Sequence, residues 1–176
     1  RVILTGQHKE MTYQVMKLFN LEEDINLEIM KKQQSLTHIT SSVLDMSSMF
    51  ENNPNFDQPI NKWITGNVLD MSSMFNRATS FNQPIGEWDT YNVSIMYSMF
   101  NHATNFNQPI GKWDIRKVST MNFMFQNAEN FNQSIDKWKV NPDCTLDNTF
   151  TGVGISTDNK DKMTLDTSWN QNNDFK

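Results

Sequence analysis

Residues 68–88 read VLDMSSMFNRATSFNQPIGEW, and the same arrangement returns without a gap at residues 43–63, 93–113 and 118–138. The spacing is 25 residues each time. The recurring positions are Val43, Val68, Val93 and Val118, then Met46, Met71, Met96 and Met121, then Met49, Met74, Met99 and Met124, then Phe50, Phe75, Phe100 and Phe125. Later in the unit come Phe56, Phe81, Phe106 and Phe131, then Ile60, Ile85, Ile110 and Ile135, and then Trp63, Trp88, Trp113 and Trp138. A decayed fifth copy, CTLDNTF, keeps Leu146 and Phe150 in phase. Self-similarity at a fixed period of this length marks a repeat architecture, in which one unit cannot bury its own apolar side and stacked copies make a continuous core.

Within a unit, Val68, Met71, Met74, Phe75 and Ala78 lie on one stripe at a period near 3.6, which predicts a short helix. Asn67 and Asn92, placed just before two such stripes, are expected to cap it. Pro84 in the second half lacks an N–H and biases the preceding residue away from helical geometry, so a short strand is expected near Ile85 to Trp88, with a turn at Gly86 or beyond. Burying each Phe or Met yields roughly 1.5 to 3 kcal/mol. That must offset about 1 to 2 kcal/mol of backbone ordering per residue, which is why an isolated unit is not expected to fold.

Composition fits this picture. The chain has 176 residues, with twelve Met, twelve Phe and five Trp in a hydrophobic fraction of 37%, which suits a thin, elongated, aromatic core. The net charge of −5, with no basic cluster to displace counterions, argues against nucleic acid as a partner. Cys144, the single cysteine, has no Cys or His at metal-ligand spacing and reads as a packed residue. No apolar run approaches the roughly 20 residues of a membrane span, and RVILTGQHKE, which starts on Arg1, lacks a signal-peptide pattern. The expectation is a fragment or a processed product with no cofactor, no metal and no membrane span.

Two rows of side chains invite a functional reading beside a structural one. Asn82, Asn107 and Asn132, with Gln58, Gln83, Gln108 and Gln133, fall in register as an amide ladder. It could present amides to a ligand or bind neighbouring backbone internally. The Trp column resembles a sugar-stacking platform, but its phase with the core residues predicts burial.

The pattern of Val, Met, Met-Phe, Phe-Asn-Gln, Ile and Trp resembles the BspA-like leucine-rich repeat surface proteins, in the 25-residue form abundant in mycoplasma lipoproteins, over residues 43–152. The resemblance implies a right-handed leucine-rich-repeat-like solenoid, cell-surface adhesion or host interaction, and no catalytic residues. The chain departs from the family in carrying no lipoprotein signal, so the cell surface is implied by the repeats alone.

Residues 2–44 share no repeat. VILTGQH reads as a strand entering a polar loop, and Met11, Val15, Leu18 and Phe19 then form a helical stripe. The segment TGQHKEMTYQVMKLFNLEEDINLEIMKKQQSLTHIT resembles the non-hydrolysing UDP-N-acetylglucosamine 2-epimerases. That resemblance implies a cytoplasmic setting and places Gln7, His8 and Gln34 near nucleotide-sugar sites. The family's acidic residues, catalytic histidine and second nucleotide-binding domain have no counterpart in this sequence, so the chain by itself is expected to be inactive. Leu36, Ile39, Val43, Met46 and Phe50 keep helical phase across the join, which predicts one helix from Ser35 to Phe50.

The sequence thus predicts an α/β repeat solenoid with a short helix and a short parallel strand per unit. Four full units and a degenerate fifth span 43–152, a small α/β cap spans 1–42, and a polar, partly disordered tail spans 153–176. The function expected is non-catalytic binding of a protein or glycan ligand. The alternative is a fragment of a UDP-N-acetylglucosamine 2-epimerase interrupted by a repeat insertion.

Overall fold

The computed structural model describes the backbone of residues 44–164 and the side chains as far as residue 161. The chain divides into two units, Arg1–Ser35 and Leu36–Lys176, and every described residue lies in the second. The expectations for the cap over 1–42, for Gln7, His8 and Gln34, and for the tail beyond 164 lie outside the described residues.

The helix expected in each repeat is not formed. Residues 72–77 run as successive turns, with φ of 53° at Ser73 and 60° at Arg77. Positive φ recurs in the same places of the other copies, at Ser48 and Asn52, Ser98 and His102, Phe123 and Asn127, and Asn148 and Gly152. A left-handed residue at every fourth position breaks the geometry that would carry an N–H back to the carbonyl four residues earlier. Alternate N–H groups point into the next unit instead. Met71 donates to the Ile95 carbonyl at 3.0 Å, Ser73 to Tyr97 at 2.8 Å, Phe75 to Met99 at 2.9 Å and Arg77 to Asn101 at 2.7 Å. The same four bonds, each reaching 24 residues forward, recur at the other three junctions.

This turn ribbon buries the stripe that suggested a helix: Val68, Met71, Met74, Phe75 and Ala78 are all fully buried. Periodicity identifies the inward positions but does not distinguish a helix from a ribbon that turns at the same rate. The distinction can be read from stability. Arg77 is exposed and left-handed. Left-handed geometry costs an L residue roughly 1 to 2 kcal/mol, which glycine escapes at an entropic cost of about 0.5 to 1 kcal/mol. Arg77→Gly is therefore expected to raise the unfolding free energy slightly in denaturant titration, whereas in a helix it would lower it by about 1 kcal/mol.

Parallel pairing falls at the head of each unit, through single bridges Asp45↔Asp70, Asp70↔Ile95, Ile95↔Thr120 and Thr120↔Thr145. The strand expected near Ile85 to Trp88 is a turn at Gly86 and Glu87, closed by the Trp88 N–H on the Ile85 carbonyl at 3.1 Å. Gly86 is required there, because a Cβ would stand 2.2 Å from the Pro109 carbonyl oxygen of the next copy. Asn92 does not cap a helix; its Nδ2 donates to the Gly66 carbonyl at 2.7 Å and so ties two copies together. The single helix expected from Ser35 to Phe50 is broken in its described part, where Asp45 is bridged to Asp70 and Ser48 has φ of 53°.

Like stacks on like in the core. Phe100 lies 5.5 Å from both Phe75 and Phe125, ring centroid to centroid, and 4.0 Å from Phe106. Trp63 stacks on Trp88 at 6.3 Å and Trp113 on Trp138 at 6.4 Å. These four tryptophans are 1 to 7% exposed, and the indole N–H groups of Trp88, Trp113 and Trp138 donate to the carbonyls of Ile60, Ile85 and Ile110, 28 residues back. They are core residues, and their rings do not form a sugar-stacking surface.

The fifth copy ends in a closure that composition did not suggest. Cys144 donates its N–H to Asn141 as Val118 does to Ile115, so it takes the valine place one residue late. Gly154 lies against the Glu129 carbonyl, where a Cβ would come within 1.9 Å, and Ile155 is buried. Helix α1 (Thr157–Thr164) follows. Within the stretch expected as a polar tail, Gly154, Ser156 and Asn159 contact the last full repeat. Among the described residues no helix is long and apolar enough to cross a membrane.

Candidate interaction face

Side-chain amides link successive copies in a row that begins on Asp57. The Asp57 carboxylate accepts from the Asn82 N–H at 2.9 Å and from the Gln83 amide at 2.9 Å. The Asn82 Oδ1 then accepts from the Asn107 N–H and the Gln108 amide, both at 2.9 Å. The Asn107 Oδ1 takes the Asn132 N–H at 3.0 Å and the Gln133 amide at 2.8 Å. Ser156 and Asn159 close the row, donating to the Asn132 Oδ1 at 2.9 Å each. Each asparagine oxygen thus accepts one backbone N–H and one side-chain amide, from a glutamine at Asn82 and Asn107 and from Asn159 at Asn132, which is a structural use of these groups. Gln58, at the start of the glutamine row, is exposed.

The variation among copies lies elsewhere. Around the bridges, inward Met and Phe are constant, while the outward residues change from Leu44, Asp45 and Ser47 to Leu69, Asp70 and Ser72, then to Ser94, Ile95 and Tyr97, then to Ser119, Thr120 and Asn122. In the first two copies the aspartates serve the backbone, each Oδ1 accepting the N–H of the serine two residues on at 2.7 Å. Leu44 and Leu69 are 56% and 46% exposed.

The third and fourth copies are aromatic here. Tyr97 is 43% exposed and meets Phe123 edge-on, 5.7 Å between centroids with planes at 77°, an arrangement that fixes the ring. In the loop leading into the third ribbon, exposed Tyr91 carries the Lys117 ammonium 3.6 Å from its ring centroid, and Lys117 also donates to the Asn92 Oδ1 at 2.9 Å. Beside them Arg116 pairs with Asp114 at 2.6 Å, and this bond holds the Asp114 carboxyl below its ordinary range. Leu69, Tyr97 and Phe123 were not among the residues predicted to form a site. The sequence signal for them was variation at outward positions of an otherwise constant repeat.

Among the described residues, groups suited to chemistry are sparse. Burial pushes the Cys144 thiol up to about 11, so it stays protonated and unreactive near neutral pH. Among the described residues no cluster of three or more His, Cys, Asp or Glu side chains could hold a metal ion.

A constant buried repeat with a varied outward face is the construction of a repeat protein. A family model described as a mycoplasma protein of unknown function, DUF285, matches residues 13–138 and 44–164, and the chain belongs to that family. A second likeness is short. The UDP-N-acetylglucosamine 2-epimerase of Salmonella borreze is 52% identical over 44 residues, which are 25% of this chain and 12% of the enzyme. That of Escherichia coli K12 is 47% identical over 45 residues, 26% of this chain and 12% of the enzyme. A putative UDP-N-acetylglucosamine 2-epimerase of Clostridium acetobutylicum is 42% identical over 57 residues, 31% of this chain and 15% of that protein. The chain thus spans about an eighth of the first of these relatives. No solved structure matches it.

Proposed function

We propose that this chain is a non-catalytic solenoid of the leucine-rich-repeat kind, acting as an interaction or adhesion module of a bacterial surface-protein type, with a protein or glycan as ligand. The supporting observation is the division of each copy into constant inward and varied outward positions. Core packing requires Val68, Met71 and Phe75 to recur but makes no demand on Leu69, Ile95 or Tyr97. Exposed aromatic rings held by their neighbours suit recognition, because little rotamer freedom is lost when they are covered. In this reading the front segment is an epimerase-like piece fused to the stack.

The test is binding of the whole chain to arrays of glycans and of immobilised extracellular proteins. Tyr97→Ser is expected to weaken the interaction by about tenfold, as loss of an aromatic anchor does, with the melting temperature unchanged. Binding unaffected by both Tyr97→Ser and Leu69→Ser would place recognition away from this face, and no binding at all would contradict the reading.

A second reading, that the chain is a piece of a UDP-N-acetylglucosamine 2-epimerase, is favoured by the 52% identity over 44 residues. It gives Gln7, His8 and Gln34 a part in holding a nucleotide sugar. Calorimetry of the chain with UDP-N-acetylglucosamine separates the two: micromolar affinity supports the second reading and absence of heat the first.

A further inference from the structure

We propose that the ligand of the outward ribbon face is a basic, partly apolar protein segment, whose Lys or Arg side chains meet Asp45 and Asp70 while its apolar side chains cover Leu69, Ile95 and Tyr97. The inference rests on the interaction reading above and names the partner for that same face.

The face is built from the outward residues of 44–48, 69–73, 94–98, 119–123 and 144–148, where the parallel bridges fall. Charge on these stretches has one sign. They hold Asp45, Asp70 and Asp147 and no Lys, Arg or His. The cations of the adjoining loop are already engaged, Lys117 over the Tyr91 ring and on Asn92, and Arg116 on Asp114. Asp147 accepts from the Asn122 amide at 3.3 Å. Asp45 and Asp70 each hold a serine N–H on one oxygen, and among the described residues nothing bonds to the other. The serine bond orients the carboxylate, so little freedom is lost when a cation meets the second oxygen.

These carboxylates stand among apolar side chains. Leu69, 46% exposed, precedes Asp70 in the chain, and the bridge sets Ile95 beside Asp70. Tyr97, 43% exposed and fixed edge-on by Phe123, lies two residues further along the same ribbon. Bridged neighbours are about 5 Å apart, so a side chain that covers Leu69 or Ile95 places its own neighbours within reach of the Asp70 carboxylate.

That combination narrows the occupant. A carboxylate covered by a partner loses water and requires a cation in exchange. A neutral glycan brings none, and its hydroxyls are ill matched to Leu69 and Ile95. Acidic glycans and nucleic acid are repelled. A second copy of the chain brings a net charge of −5 and is repelled as well. A segment that mixes Lys or Arg with aliphatic or aromatic residues meets both demands.

Fluorescence anisotropy of the full chain with short labelled peptides tests this. One peptide alternates Leu and Lys, one has Glu in place of Lys, and one has Ser in place of Leu. The first is expected to bind about tenfold more tightly than either of the others. Asp70→Asn keeps an acceptor for the Ser72 N–H and is expected to weaken the Leu–Lys peptide by about two- to fivefold. Leu69→Ser is expected to weaken it by about fivefold. Asp158→Asn, on the exposed first turn of helix α1, makes the same change in net charge and is expected to alter affinity by less than about twofold. Should Asp70→Asn lower the melting temperature, Asp45→Asn serves in its place, Asp45 having the same bond to Ser47. No binding of the Leu–Lys peptide, or equal affinity for its Glu counterpart, would overturn the proposal. Equal losses from Asp70→Asn and Asp158→Asn would overturn it too, because attraction would then follow overall charge and not this face. A neutral or acidic glycan found on the arrays and lost with Tyr97→Ser would overturn the basic-segment assignment while leaving the interaction reading in place, whereas arrays that bind nothing contradict that reading.

Discussion

Phe100→Ala is expected to lower the unfolding free energy by about 3 to 5 kcal/mol, the range for emptying an aromatic site in a closed core. Phe100 is fully buried and faces rings on four sides: Phe75 and Phe125 in the neighbouring copies, and Phe106 and Trp113 in its own. In a stack held by nearest-neighbour contacts, the cavity weakens both junctions of the third copy at once. Denaturant titration is expected to show the loss directly, with the transition broadening if the outer copies part company. Leu69→Ala, on the exposed side of the second copy, is expected to stay within about 0.5 kcal/mol of the parent.

Ser98→Pro is expected to cost about 3 kcal/mol or more. The Ser98 N–H is a forward donor, bonded to the Asn122 carbonyl at 3.0 Å, and its φ of 53° is one the pyrrolidine ring cannot adopt. The substitution removes a junction bond and forces the ribbon out of its left-handed turn. Ser134→Pro provides a control. Residue 134 corresponds to Pro59, Pro84 and Pro109 of the other copies, and its N–H is bonded to no group among the described residues. Proline there is expected to be neutral or to stabilise by up to about 1 kcal/mol, by restricting the unfolded chain. Thermal melts of the two variants are therefore expected to move in different directions, or one to fall while the other holds.

What the sequence made legible was the buried side of the fold. Every constant Val, Met, Phe, Ile and Trp from residue 68 to 138 is interior, and the asparagine and glutamine rows hydrogen-bond in the register their spacing implies. The backbone that carries them was not legible. An apolar stripe with a period near 3.6 is shared by a helix and by a ribbon turning through left-handed residues. Ser73, Arg77, Ser98 and Phe123 are not the glycines or asparagines that ordinarily announce such geometry. In the first four copies the carbonyls of the next copy collect the redirected N–H groups, and local propensity marks the left-handed places only in part, at Asn52, Asn127, Asn148 and Gly152. The closure at Ile155 and Asn159 was missed for a related reason. One buried isoleucine and two polar donors suffice to end a ladder, and a composition average treats them as tail.

The central claim is that alternate N–H groups of each ribbon bond forward to the next copy in place of closing α-helical turns within their own, and scalar couplings across hydrogen bonds measure that connection atom by atom. In a long-range amide-to-carbonyl NMR experiment on labelled protein, the Phe100 nitrogen is expected to couple to the carbonyl carbon of Met124, and the His102 nitrogen to that of Gln126. Couplings of Phe100 to the carbonyl of Met96, and of His102 to that of Ser98, would instead mean an α-helix in each copy and would contradict the account.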